Sequence, residues 1–361
     1  MYQSLIRKLI FLLRHSPHRL GMAGVLGGLA ISLSACAPVQ WGALLDEPAK
    51  LSWPPMPNPK RVEYIGTLRQ FTPVSRSIST VLFGQSQAGE IVKPVAMAVG
   101  GDGRMAIVDA GKRGVHFFVP SQQRYLLLSK AGEEDFLSPV SVIFDSTLNL
   151  LVSDSMLGKI FVFDANGTYT REMSPPKRQE FIRPTGLAYQ ETEGLFYVVD
   201  SKASRVSIFN DKGQYVNGFG KRGSKDGELN LPTHIASGPD GKIYVNDAMN
   251  FRAQVFTAQG QFVSLFGHHG DGSGDFAMPK GIAVDRNGVI YVAETLFDNV
   301  QMFSAQGDYL LSLGSQGQGP AEFWMPSGLF IDRDNKLYVC DTYNKRIQIF
   351  QLFGSDGGGR P

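Results

Sequence analysis

Residues able to do chemistry fall into a few sets. His234, His268, His269 and Lys280 crowd into residues 234–280, and imidazole is a common metal ligand, so the group could hold a divalent metal or an anion. Six acidic residues recur along the chain: Asp109, Asp154, Asp200, Asp247, Glu294 and Asp341. Basic residues follow most of them at Arg113, Lys159, Arg205, Arg252 and Arg346. A function needing one carboxylate would not repeat it so often, whereas a loop donor left unpaired in every repeat would be costly, so the acids read as structural. The stretch Asp271-Gly272-Ser273-Gly274-Asp275 begins like a calcium loop, but Ile282 stands where the twelfth-position glutamate belongs, which rejects an EF-hand. Neither a nucleophile elbow nor an HExxH pair is present.

The elements that must position these residues are repeats. A proline opens each copy, at Pro94, Pro139, Pro184, Pro232, Pro279 and Pro326, 45 to 48 residues apart. The acid follows 15 residues later, 16 in the third copy, and an aromatic lies nine residues beyond it: Phe118, Phe163, Phe209, Phe256, Phe303 and Phe350. Fixed spacing inside each copy and slack between copies describe a rigid unit joined by variable loops. Short runs such as Ile243-Tyr244-Val245 are β-branched or aromatic on both faces, and pairs such as Asp240-Gly241 and Asn287-Gly288 suit tight turns. Three clear strands and a weaker fourth per copy predict an all-β, six-bladed β-propeller of four-stranded antiparallel blades over residues 61–354. Val62 to Leu68 is expected to close the ring as the outer strand of the last blade.

The patterns Pro-x-Gly-[Ile/Leu]-Ala, Tyr-Val-x-[Asp/Glu] and Asn-x-Arg-[Ile/Val]-Gln-x-Phe resemble the NHL repeat, from Lys93 to Phe350. Tyr338-Val339-Cys340-Asp341 and Asn344-Lys345-Arg346-Ile347-Gln348-Ile349-Phe350 carry the likeness best, and the first two copies have Ala96 and Ser141 where the motif has glycine. The resemblance implies a propeller. For activity it implies several things at once, since that family holds nucleic-acid binders, protein-interaction platforms and a peptide-amidating lyase.

Ahead of the repeats, Arg7, Lys8, Arg14 and Arg19 form a basic leader, Leu20 to Leu33 an apolar run, and Leu33-Ser34-Ala35-Cys36 matches a bacterial lipoprotein box. Residues 1–36 are therefore expected to be a signal peptide ending at a lipidated Cys36, with an uncleaved anchor as the alternative. Ala37, which is not aspartate, implies by resemblance to Gram-negative lipoproteins the outer membrane, on its periplasmic face. Residues 37–60 read as a proline-rich tether and residues 355–361 as a disordered tail. Cys340 would then have no partner within the chain and reads as a small buried filler. Of 35 basic residues four lie in the leader, leaving 31 against 33 acidic ones, so the remainder is slightly acidic and argues against nucleic acid as a partner.

The mouth of the channel, at the proline ends of the inner strands, is the expected site. Five copies keep a small residue two positions after the proline, namely Ala96, Ser141, Gly186, Gly281 and Gly328, and the sixth has His234. His234 and Lys280 are candidates for anion or ligand binding, with His234, His268 and His269 as metal candidates. The plainer reading has His234 bonded to a neighbouring loop and His268 and His269 solvated, and it is favoured because no ligand spacing repeats. Arg205, Arg252 and Arg346 could offer a docking rim to an acidic partner, or simply pair with the acids. The function expected is a non-catalytic, lipid-anchored, monomeric propeller that binds an envelope protein and needs no cofactor. The alternative is a metal-dependent lyase or hydrolase, resembling peptide-amidating lyase, with a divalent metal at the channel mouth.

Overall fold

In a computed structural model, which describes residues 39–46, 49–55, 58–74 and 89–354, each copy folds into one sheet. Blade 5 shows why. Pro279–Val284, Ile290–Glu294, Asn299–Phe303 and Tyr309–Leu313 pair antiparallel in chain order. The first turn is built on Asp285, whose Oδ1 accepts the N–H groups of Asn287 (2.8 Å) and Val289 (2.9 Å), while Gly288 takes the positive φ of 81° the reversal needs. The second strand is buried throughout and the fourth is partly exposed, as expected when sheets stack side by side and only their outer strands meet water.

The chain is a six-bladed β-propeller. Its other blades begin at the strands Pro94–Val99, Pro139–Phe144, Pro184–Gln190, Ile235–Ser237 and Pro326–Ile331. The core consists of six apolar clusters, each between two neighbouring sheets, and the last joins Tyr338, Cys340 and Ile347 of blade 6 to Met97, Ile107 and Phe118 of blade 1. Each of the six recurring phenylalanines is buried. Polar bonds near the channel reinforce the circle: Ser153 Oγ donates to Thr185 O (2.7 Å), Asn246 Nδ2 to Lys280 O (2.7 Å), and Thr342 Oγ1 to Pro94 O (2.9 Å) across the closure.

The ring closes as expected, with Val62–Pro73 antiparallel to Arg346–Leu352. The segment before it is not a simple tether. Trp41–Asp46 adds a further strand to Val62–Pro73, and Ser52–Trp53 pairs with its beginning. Two forces hold it there. The outer edge of Val62–Pro73 would otherwise expose unpaired backbone groups, and the Trp41 ring finds Tyr125 at 4.6 Å while Trp53 lies against Phe350 at 6.3 Å. Residues 1–38, with the expected signal peptide and Cys36, lie outside the described residues, as do 75–88 and 355–361 with the expected tail. Among the described residues no helix is long and apolar enough to cross a membrane.

Candidate functional site

The recurring acids are clamps. The Asp154 carboxylate accepts the N–H groups of Leu137 (2.8 Å) and Ser138 (2.9 Å), Asp200 those of Ile182 and Arg183, and Glu294 those of Ala277 and Met278. Each thereby ties the loop between strands two and three to the loop that enters the inner strand. In blade 6 the clamp becomes a buried network: Arg346 Nε donates to Asp341 Oδ2 (2.6 Å), its Nη atoms to Gln318 O, Gly319 O and Glu322 O, and Gln348 Nε2 to both Asp341 and Glu322 O. Blade 4 repeats it with Asp247, Arg252 and Gln254. In blade 5 the arginine position is Asn299, and burial without a guanidinium pushes the Glu294 carboxyl up. In blade 1 the partner is His116, buried against Asp109 (3.1 Å) and Tyr125 (2.9 Å), a contact not anticipated although His116 occupies the position of Gln254, Gln301 and Gln348.

This changes the reading of the basic rim. Arg252 and Arg346 are buried and turned inward onto the clamp, so neither stands out on the face as a rim residue. Arg205 is partly exposed, 3.5 Å from Asp200 and bonded to Gln179 O and Glu180 O. Lys159 pairs with Glu134 (2.7 Å) and Glu172 (3.0 Å) rather than with Asp154.

The clamps support an apolar face. The loops they join display Leu137, Met156, Ile182, Leu231, Met249, Leu296, Trp324 and Tyr343, all exposed, with Met156 reaching 72 %. They are contributed by five of the six blades, at the residue two after the acid or just before the proline. Lys93 and Lys280 lie on the same side, at the proline ends of the inner strands. Burial and then the charge of Lys93 push the Lys280 ammonium down, and no carboxylate among the described residues pairs with it.

The small residue of Pro-x-Gly marks a neck in the channel. A Cβ on Gly186 would stand 2.8 Å from His234 Cα, one on Gly328 would collide with Val95 O, and one on Gly281 with Ser327 O. At this level the inner strands touch backbone to backbone, which is why side chains larger than alanine or serine are excluded from five of them. His234 is the exception and forms the floor of a cavity of about 290 Å³. The cavity opens not at the expected mouth but on the opposite face, among the turns at Gly100, Asp145, Glu191 and Arg333. The His234 side chain is half-buried beside this narrow lumen, and burial followed by the Lys280 charge lowers its pKa to about 4. Its Nδ1 has no hydrogen-bond partner, contrary to the plainer expectation of a loop contact.

The three candidate histidines are not brought together. His268 Nε2 reaches Asp275 Oδ1 at 2.8 Å on the surface, and His269 lies edge-on to Phe251 at 4.4 Å. Among the described residues no three His, Cys, Asp or Glu side chains converge as a metal site would require. Cys340 is fully buried, and burial followed by the Asp341 charge holds its thiol well above the usual range.

Comparison with known proteins agrees with this architecture. A family profile described as a 6-bladed beta-propeller matches residues 234–295 and 286–356. Among solved structures, a gluconolactonase from Xanthomonas campestris superposes with TM-score 0.57 at 15% identity, covering 86% of this chain and 100% of that one. A catalytically inactive virginiamycin B lyase from Staphylococcus aureus, with quinupristin, gives 0.55 at 12% identity, covering 73% and 96%. An auxiliary nutrient binding protein from Bacteroides thetaiotaomicron gives 0.56 at 11% identity, covering 73% and 69%. At such identities the likeness is one of fold. The search of curated proteins found no match.

Proposed function

We propose that this chain is a non-catalytic propeller of NHL type, tethered through a lipid on Cys36 to the periplasmic face of the bacterial outer membrane, whose clamped face binds a protein partner. The observation that carries the reading is the set of exposed apolar side chains around that face, on loops whose backbone N–H groups are held by buried carboxylates. Apolar side chains grouped in this way mark interaction surfaces, and rigid loops lose little entropy when a partner docks. Trp324 and Tyr343, with ring centroids 5.5 Å apart and Lys93 5.3 Å from the tyrosine ring, have the composition of a binding hot spot.

The lyase or hydrolase alternative draws on the two enzymes among the structural neighbours. Against it stands the use of the recurring carboxylates: those that could polarise a metal or a water are occupied by backbone N–H groups, guanidinium or imidazole. The binding reading is tested by copurification from the native envelope. A partner retained by the unaltered chain and by Val263→Asp on an outer strand, but lost with Met249→Asp or Leu296→Asp, supports it. Equal retention by all four rejects the face.

A further inference from the structure

The cavity above the His234 floor faces away from the proposed docking surface, so what it holds is a separate question. Its wall is formed mainly by apolar residues of the inner strands, as from Gly328 to Ile331, interrupted by Ser141 and Ser237, over a depth on the order of 13 Å at about 3.3 Å per residue. At the floor, His234 presents a partly exposed, neutral imidazole to the lumen, while its Nδ1 is turned away from solvent.

At the opening, Phe144, Tyr189 and Phe330 contribute aromatic rings to the lining. Three carboxylates, Asp145, Glu191 and Asp332, stand beside one guanidinium, Arg333, so the rim carries two excess negative charges. Asp145 and Asp332 are engaged by their own turns, Asp145 accepting from Thr147 and Asn149 and Asp332 from Lys336 N–H and Tyr338 Oη. Among the described residues Glu191 is engaged only by Arg333, whose Nη2 donates to Oε1 (2.7 Å) and Oε2 (2.9 Å). That pair joins blade 3 to blade 6, which stand opposite each other, and so crosses the opening. Its partners are 57% and 67% exposed, the class of ion pair that contributes little and exchanges readily.

We infer that the channel is a binding site for an organic cation with a slender apolar body and a hydrogen-bonding group at its far end. The ammonium displaces Arg333 from Glu191 and sits among the rim aromatics, the aliphatic body fills the wall, and the terminal hydroxyl or amine meets His234. Rings and carboxylates together favour a cation over an anion or a neutral head group. The cavity volume is at the small end of ligand sites, which selects an unbranched chain over a bulky ring system.

The test uses three probes with the same eight-carbon chain, aminooctanol, octylamine and hydroxyoctanoate, titrated calorimetrically into the unaltered protein and Glu191→Gln. Aminooctanol is expected to bind about tenfold more tightly than hydroxyoctanoate and several-fold more tightly than octylamine, which cannot satisfy His234. Glu191→Gln, a surface change, is expected to erase the preference for the cation. Nuclear Overhauser contacts from the probe methylenes to the Ile235 and Ile282 methyls would locate the chain in the channel. The proposal is overturned if hydroxyoctanoate binds as well as aminooctanol, if Glu191→Gln changes nothing, if contacts appear elsewhere, or if no probe binds.

Discussion

Replacing Arg346 by methionine tests the clamp that holds the loops of the displayed face. The guanidinium is 2% exposed and makes four hydrogen bonds, one to the fully buried Asp341 carboxylate and three to the carbonyls of Gln318, Gly319 and Glu322. Methionine fills much of the volume but leaves a buried carboxylate without its countercharge, a loss of about 3–5 kcal/mol. For a domain of this size that corresponds to a fall in Tm on the order of 6–10 °C. Urea unfolding followed by near-ultraviolet circular dichroism measures it, with Arg333→Met as the control, because an exposed ion pair is worth less than about 1 kcal/mol. Adding Asp341→Leu to Arg346→Met removes the stranded charge but also strands the Trp324 N–H and the Asn344 and Gln348 amides that the carboxylate accepts from, so the double variant is expected to stay well below the unaltered protein. An Arg346→Met midpoint equal to that of Arg333→Met would refute the reasoning and return Arg346 to the rank of a rim residue.

Other consequences follow from the same packing. Phe303→Ala empties a site where Phe266, Phe276 and Tyr309 meet the ring at 4.9, 5.6 and 6.1 Å, and is expected to cost about 3–5 kcal/mol in the same assay. Gly281→Ala drives a Cβ into the Ser327 carbonyl of the next blade and is expected to cost about 1–3 kcal/mol, where an ordinary surface alanine would be neutral. His234 has a folded pKa near 4 against an unfolded value of 6.5, so the unfolded chain takes up the proton first. Its contribution is therefore complete above pH 6.5 and fades as pH falls toward 4. The unaltered protein should lose up to about 3 kcal/mol more over that interval than His234→Gln, and parallel pH profiles would show that His234 is not shielded.

The repeat made the architecture legible. Fixed offsets among proline, acid and phenylalanine are local, and each has a local cause: the backbone approach at the neck, the carboxylate clamp and the core between blades. Val62 to Leu68 could be assigned to the last blade because the sixth copy lacked a fourth strand. Trp41–Asp46 was hidden by the proline-rich composition that follows it, since its pairing is set by an edge more than twenty residues away. The site was less legible for a related reason. Sequence marks His234 as unusual but cannot say on which side of the neck its ring borders open space, nor that Arg252 and Arg346 fold inward over carbonyls instead of outward. Exposed residues such as Met156 and Leu296 look like ordinary apolar residues until their loops are placed on one face.

The most direct test of the docking face is photocrosslinking in the native host, with benzoylphenylalanine placed singly at Met156, Met249, Leu296 and, as control, Val263. One protein adduct of the same mass is expected from each of the three face positions and none from Val263. Adducts absent from the face, or formed equally at Val263, would contradict that assignment.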